Sequence, residues 1–287
     1  MRNFNEVTIT EAVIHRLKDT PNLRLKEVST SLVRHLHDFV RDVRLSEAEW
    51  TFAINFLTRT GQKCDGNRQE FILLSDTLGI SMLVDAINHA SPGSTESTVL
   101  GPFYVRNPPE YPLGADISGP LTGEPLYAHG RVLSSDGKPL ANAIVDVWHS
   151  DNDGYYDVQH VEEVGGLAGR ARLRTDQDGS YRFWSIKPAA YPIPHDGPVG
   201  EMLEAQARHP WRPAHVHFMI EAAGHEKLTT HVFVDGDKYL DSDAVFGVKD
   251  SLIGNYIKRA SGSAPDGTEM NKPFFTLHYD FKLQRRL

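Results

Sequence analysis

Apolar residues follow two different rhythms along this chain. Over the first ninety positions they recur every three or four residues. Val13, Ile14 and Leu17 form one such set behind Thr8-Ile-Thr-Glu11, a capping-box pattern. Val28, Leu32, Leu36, Phe39, Val40 and Val43 form a second, with charges between them. Ser46 to Glu49 is another capping box and leads into Trp50, Ala53, Ile54 and Leu57. After Lys63-Cys64-Asp65-Gly66 a fourth set runs through Phe71, Leu74, Leu78, Met82, Leu83, Ala86 and Ile87. This spacing predicts helix throughout.

From Ser91 to Pro125 the chain is dense in glycine and proline, which predicts an extended connector. From Tyr127 onward the period changes to two. Asp136-Gly137 separates the run His129–Leu133 from Ala143–Trp148, and Asp178-Gly179 separates Arg170–Arg174 from Tyr181–Trp184. Both read as hairpins. Further runs cover His215–Ile220, Leu228–Val234 and Pro273–Leu283. The expected fold is α+β: an N-terminal α-helical domain over residues 1–100, a connector over 101–126, and a C-terminal antiparallel β-sandwich over 127–287.

Charge narrows the function. The 287 residues carry 30 Lys plus Arg against 38 Asp plus Glu, a net charge of −8. That surface disfavours phosphate backbones and anionic membranes. One cysteine, Cys64, excludes an intrachain disulfide, and no run is apolar enough for a membrane helix. The N-terminus lacks the pattern of a secretory signal, so a cytoplasmic protein is expected.

The sharpest local feature is Arg212-Pro-Ala-His215-Val-His217. On a strand, residues i and i+2 share a face with Cα atoms roughly 6.5 Å apart, so both imidazoles can reach one metal ion. The same spacing also fits two solvated histidines. A lone cysteine excludes a polythiolate zinc site. Asp235 and Asp237 leave a two-histidine, one-carboxylate site open, although the short His-x-Asp spacing is absent. Tyrosines in turn-rich segments, Gly154-Tyr155-Tyr156 and Pro188-Ala-Ala-Tyr191, offer phenolate oxygens, hard anionic donors suited to Fe(III). Two phenolates and a hydroxide would balance the ferric charge. Each tyrosine taken singly also fits a half-buried aromatic with a hydrogen-bonded hydroxyl.

Together, Trp148-His-Ser-Asp-Asn-Asp-Gly154-Tyr-Tyr156, Pro188-Ala-Ala-Tyr191 and Arg212-Pro-Ala-His215-Val-His217-Phe218 closely resemble the intradiol ring-cleavage dioxygenases. Thr95 to Tyr104 looks like that family's linker, and Leu73-Leu-Ser-Asp76-Thr-Leu-Gly79 like its last N-terminal helix. The resemblance implies a non-haem Fe(III) held by Tyr156, Tyr191, His215 and His217. Tyr156 is preferred over Tyr155 because it falls two after Gly154, where the family places its ligand. It also implies that Tyr191 leaves the metal as a base, that Arg212 lies beside the substrate ring, and that O2 opens a catechol-type diol to a muconate.

The same resemblance implies a pocket wall of Leu73, Asp76, Val99, Leu100, Gly101, Phe103, Ile193, Pro194, His231 and Val245. A buried carboxylate at Asp76 suits an extra ring hydroxyl, which favours hydroxyquinol over catechol or chlorocatechol. A routine surface acid is the plainer reading of the same residue. The resemblance further implies a homodimer through the N-terminal helices, with a phospholipid between the subunits. A transthyretin-like binding module without enzymatic activity is the alternative, since fold does not fix function.

Overall fold

A computed structural model describes every residue except Met1, Asn67, Ala90, Ser91 and Leu287. The first residue of the Gly- and Pro-rich stretch, Ser91, thus lies outside the described residues. The chain forms two compact units, residues 1–59 and 60–287.

The first unit holds α1 (Ile9–Arg16), α2 (Leu23–Asp42) and most of α3 (Glu47–Gln62). The Ser46 capping box forms: Glu49 Oε2 accepts from Ser46 N at 2.8 Å, and Ser46 Oγ accepts from Glu49 N at 3.3 Å. The Thr8 box does not. Asn5 Oδ1 instead accepts from Val7 N and Thr8 N, both at 3.0 Å, so an asparagine turn leads the chain into α1. None of the side chains on α2 is buried, and Val28, Leu32, Leu36, Phe39, Val40 and Val43 stand exposed.

In the second unit the fourth apolar set is broken at Gly79 (φ +73°) into α4 (Glu70–Thr77) and α5 (Ile80–Asn88). Both helices belong to this unit. Among the described residues no helix or strand follows until β1, as the prolines dictate; isolated bridges form at Glu110–Arg172 and Asp116–Trp184. Two short helices, α6 (Val161–Val164) and α7 (Pro198–Ala205), interrupt the strands.

One sheet contains β1 (Pro125–Ser134), β4 (Ser180–Ile186), β10 (Tyr256–Arg259), β13 (Phe274–His278) and β14 (Phe281–Leu283), with β4 on one edge of β1 and β13 and β14 on the other. The second runs β3-β2-β7-β8-β9: β3 (Arg170–Arg174), β2 (Ile144–His149), β7 (His215–Glu221), β8 (Leu228–Val234) and β9 (Ile253–Gly254). Two ribbons complete the unit, β5 (Tyr191–Pro192) with β6 (Trp211–Arg212) and β11 (Gly262–Ser263) with β12 (Glu269–Met270). The α+β architecture is as expected, but the sheets are mixed. Strand β1 runs parallel to β13 and β14, and β8 runs parallel to β9.

Neither expected hairpin pairs its flanking strands. Asp136-Gly137 does turn, with Gly137 N donating to Ser134 O at 2.8 Å. Pro139 then removes a ladder donor, and Asn142 at φ +56° sends the chain into the opposite sheet. Asp178-Gly179 likewise joins β3 to β4 across the two sheets.

The pleat explains where chemistry can sit. Val145 and Val147 on β2, Ala171 and Leu173 on β3, Val216, Phe218 and Ile220 on β7, and Val232 and Val234 on β8 face the sandwich core. Their alternates are Asp146, Trp148, Arg170, Arg172, His215, His217 and His231, which share the outer face of that sheet. It is covered all the same: Arg170, His215, His217 and His231 are buried. A polar sheet face buried under loops is the unusual feature of this fold.

Candidate metal centre

His215 and His217 lie two apart on β7, and their Nε2 atoms are 3.1 Å apart. His231 on β8 sits directly across from His217. The three imidazoles bring one nitrogen each within 4.8 Å of one another. Tyr156, in the loop after β2, places its hydroxyl 2.9 Å from His217 Nε2. Tyr191 pairs with Arg212 in the β5–β6 ribbon, and its ring lies edge-on to that of Tyr156 at 5.2 Å. One Arg212 nitrogen is 3.4 Å from both the Tyr191 hydroxyl and His215 Nε2. Tyr155, by contrast, is 48% exposed.

Local sequence brings the two tyrosine loops together. Asp151 Oδ1 accepts from Asp153 N and Tyr155 N, each at 2.9 Å, an Asx turn that reverses the chain ahead of Tyr156. Gly154 (φ +89°) then passes so close to the other loop that a Cβ would lie 2.9 Å from Ala190 O and 3.0 Å from Tyr191 Cβ. Only glycine permits that approach.

Protonation favours ligation. His215 Nδ1 lies 2.7 Å from Pro213 O, which places its hydrogen there and leaves Nε2 with a lone pair. Burial, reinforced by the Arg212 charge, lowers the His215 pKa to about 3. Burial likewise drives His217 and His231 well below the ordinary value and pushes the Tyr156 phenol well above it. The group therefore presents neutral nitrogens beside a phenol. Metal–ligand bonds of about 2.0–2.2 Å put neighbouring donors on one ion about 3 Å apart, as found here. A cation at that point would also favour the ionised phenol. Imidazole nitrogens with a phenol oxygen form a donor set that fits a first-row transition metal such as iron.

Neither carboxylate considered from sequence takes part. Asp237 accepts from Ala214 N and Tyr239 N, and Asp235 is exposed. Cys64 is remote in role, its thiol facing Thr60 O at 3.4 Å.

One functional residue escaped the sequence reading. Asp243 accepts from Arg212 Nε and Nη2 at 3.0 and 3.2 Å, and from the backbone N–H groups of Val245 and Gly247 at 3.3 and 3.0 Å. Burial works to raise its carboxyl, but the adjacent guanidinium outweighs it and holds the pKa below the ordinary value. The available signal was general: a buried arginine requires a carboxylate partner.

Several expected pocket residues meet the centre. A Cβ on Gly101 (φ +75°) would lie 3.2 Å from His217 Cε1. The Phe103 ring stacks on Tyr156 at 4.4 Å, and its carbonyl accepts from Arg170 at 3.0 Å. Thr98 Oγ1 lies 2.9 Å from His231 Nδ1 and donates to Val99 O at 3.3 Å. Ile193 and Val245 are buried beside Tyr191 and Asp243 along the chain. Leu73 and Asp76, one turn apart on α4, are also buried. For Leu100, which is 41% exposed, and Pro194 the structure gives position only, after Val99 and Ile193. Asp76 is not the surface acid of the plainer reading. Among the described residues it has no ion-pair partner; burial raises its carboxyl pKa, against the pull of the Ser81 hydroxyl and the Arg212 charge.

Residues 22–96 match the family model for the catechol dioxygenase N terminus, and residues 99–285 match that of the dioxygenase family itself. The chain belongs to the intradiol ring-cleavage dioxygenases. It is 54% identical over 288 residues to a 6-chlorohydroxyquinol 1,2-dioxygenase of Cupriavidus pinatubonensis, covering all of both chains. It is 47% identical to a hydroxyquinol 1,2-dioxygenase of Nocardioides simplex, over 97% of this chain and 95% of that one. The solved hydroxyquinol 1,2-dioxygenase of Pseudomonas putida DLL-E4 superposes with a TM-score of 0.92 at 48% identity, over 98% and 99% of the two chains. Membership in an enzyme family replaces the binding-module alternative. Among the described residues, no helix of this dioxygenase is long and apolar enough to cross a membrane.

Proposed function

We propose that this dioxygenase cleaves hydroxyquinol (1,2,4-trihydroxybenzene) with O2 between its adjacent hydroxylated carbons, giving 3-hydroxy-cis,cis-muconate, the enol of maleylacetate. Both oxygen atoms of O2 end in the product. The observation that carries the reading is the buried convergence of Tyr156, His215 and His217 beside Tyr191 and Arg212.

In this reading Tyr156, Tyr191, His215 and His217 hold a ferric ion. Bound there, it would supply a Lewis-acid template that activates the diol toward O2. His231 is assigned to the pocket, as the family resemblance implies; its Nδ1 faces the Thr98 hydroxyl at 2.9 Å and the Arg212 guanidinium at 3.4 Å. The Tyr191 phenolate oxygen takes up one of the diol's hydroxyl protons as the substrate arrives, becoming the neutral phenol, and Arg212, 3.4 Å away, stays beside it. The permanently charged guanidinium stabilises negative charge that develops on the ring. Phe103 and Gly101 close one side of the site against water, Gly101 leaving room for His217.

Asp76 supplies the preference for a triol. Its buried carboxyl, which has no ion-pair partner among the described residues, forms a further hydrogen bond with the third hydroxyl, a contact that a bare or chlorinated ring cannot make. Leu73, Val99, Leu100, Ile193, Pro194 and Val245 form the apolar wall. The exposed apolar stripe of α2 is the contact surface of a homodimer, with a phospholipid seated at the interface. The cytoplasm suits a chain with one free thiol.

The test is a visible spectrum of the purified, iron-replete protein before and after anaerobic hydroxyquinol, followed by oxygen uptake with hydroxyquinol and catechol. A phenolate-to-Fe(III) band that moves to longer wavelength, with faster uptake on hydroxyquinol, is expected. An iron-replete protein without the band would end the two-tyrosine assignment; faster uptake on catechol would end the substrate assignment.

A further inference from the structure

Arg208 joins two walls of the pocket. It follows the C-terminal end of α7, where its own N–H donates to Leu203 O at 2.8 Å and the preceding Ala207 adopts φ +54°. Arg208 Nη1 donates to Thr77 O at 2.9 Å, the carbonyl next to Asp76 at the end of α4. Its Nη2 donates to Ala244 O at 3.3 Å, inside the turn that wraps the Asp243 carboxylate. The guanidinium also lies over the Phe246 ring, 5.2 Å from its centroid.

That turn is strained. Phe246 has φ +59°, unusual for a bulky residue, and its ring is half exposed rather than anchored in the core. Its ring packs against Gly79, which follows α4: a Cβ there would lie 3.5 Å from it. The strained conformation lets Val245 N and Gly247 N both reach Asp243. A cation at the end of α4 is favoured by the helix dipole as well. Arg208 is thus a single rigid fork between the helix that carries Asp76 and the turn that carries the partner of Arg212.

We propose that Arg208 is a positioning residue for substrate choice, fixing Asp76 relative to the Arg212–Asp243 pair so that a third ring hydroxyl is recognised. The inference rests on the reading that Asp76 receives that hydroxyl. Removing the fork frees the end of α4, and misplacement by about 1 Å is enough to lose an oriented contact.

The experiment compares R208M, R208K and D76N as iron-loaded enzymes. Anaerobic titration gives dissociation constants for hydroxyquinol and catechol, and kcat/KM is measured for each. In R208M the preference for hydroxyquinol over catechol falls about tenfold in both measures, as it does in D76N. R208K keeps the charge but not the two-carbonyl fork and loses part of the preference; it decides the matter if R208M does not fold by near-UV circular dichroism. If D76N loses the preference while folded R208M or R208K keeps it, the role given to Arg208 is overturned. If D76N itself keeps the preference, the reading of Asp76 fails and this inference goes with it.

Discussion

Arg212 and Asp243 form a two-pronged ion pair whose side chains are 3% and 2% exposed, and the same guanidinium reaches the Tyr191 hydroxyl and His215. Charge and aim are therefore set by separate parts of the protein. Arg212 carries the charge, and Asp243, itself clasped by two backbone N–H groups, sets its direction.

Loss of either partner should be felt differently. Arg212→Met should lower kcat by roughly 10²–10³, the usual effect of removing one charge-stabilising donor, with a smaller change in KM. Asp243→Asn leaves the guanidinium in place but unaimed; each variant strands one buried charge and should destabilise the fold by about 3–5 kcal/mol, so the difference between them lies in kcat. Oxygen-uptake kinetics and urea unfolding measure the two effects. Wild-type kcat in Arg212→Met would remove the arginine from the chemistry.

Gly154→Ala should strike the centre without touching a donor atom. The new methyl would meet Ala190 O and Tyr191 Cβ at 2.9 and 3.0 Å, and φ +89° disfavours any side chain. A loss of about 1–3 kcal/mol in stability should accompany faster removal of iron by a chelator. Unchanged chelation kinetics would mean that the approach of the two loops does not hold the tyrosines in place.

Much of this was legible in the chain. Alternation along His215–Ile220 and Leu228–Val234 placed His215, His217 and His231 on defined strands, and β7 and β8 follow it closely. Strand pairing was less legible, because a turn such as Asp136-Gly137 specifies a reversal and not the neighbour that the next strand chooses. Pro139 and Asn142 decided that. The break at Gly79 was hidden because the apolar spacing continues across it. Asp243 could not be assigned from sequence, since its meaning lies in a bond to a residue 31 positions away.

Acid should destabilise the metal-free protein in a defined window. His149 is fully buried between Ser150 O and Ser185 Oγ, both at 2.7 Å, and burial lowers its pKa, as it does for His215, His217 and His231. The unfolded chain binds protons at these sites below about pH 6.5, while the folded chain does not. Stability is therefore present above that pH and falls as pH drops through it, by up to about 1.4 kcal/mol per pH unit for each histidine. The loss continues toward pH 3, the value to which His215 is lowered. Urea midpoints at pH 7, 6 and 5 give the slope. A flat profile across that range would show that these rings are protonated when folded.

The tyrosines offer the cleanest discrimination, because Tyr155 and Tyr156 are neighbours with opposite environments. Tyr156 is buried with its hydroxyl on His217, while Tyr155 is 48% exposed with its ring edge-on to His160. Tyr156→Phe and Tyr191→Phe should each remove one anionic donor, weakening both iron retention and the visible phenolate band. The fold should survive the loss of the Tyr156 hydroxyl with a change of only about 1–2 kcal/mol, because its ring still stacks on Phe103 at 4.4 Å. Tyr155→Phe should leave band and iron content as they were. Iron analysis and absorption spectra of the three variants, at matched protein concentration, measure this directly. If Tyr155→Phe removes the band and Tyr156→Phe retains it, the ligand is the exposed residue and the buried convergence of hydroxyl and imidazoles has another purpose.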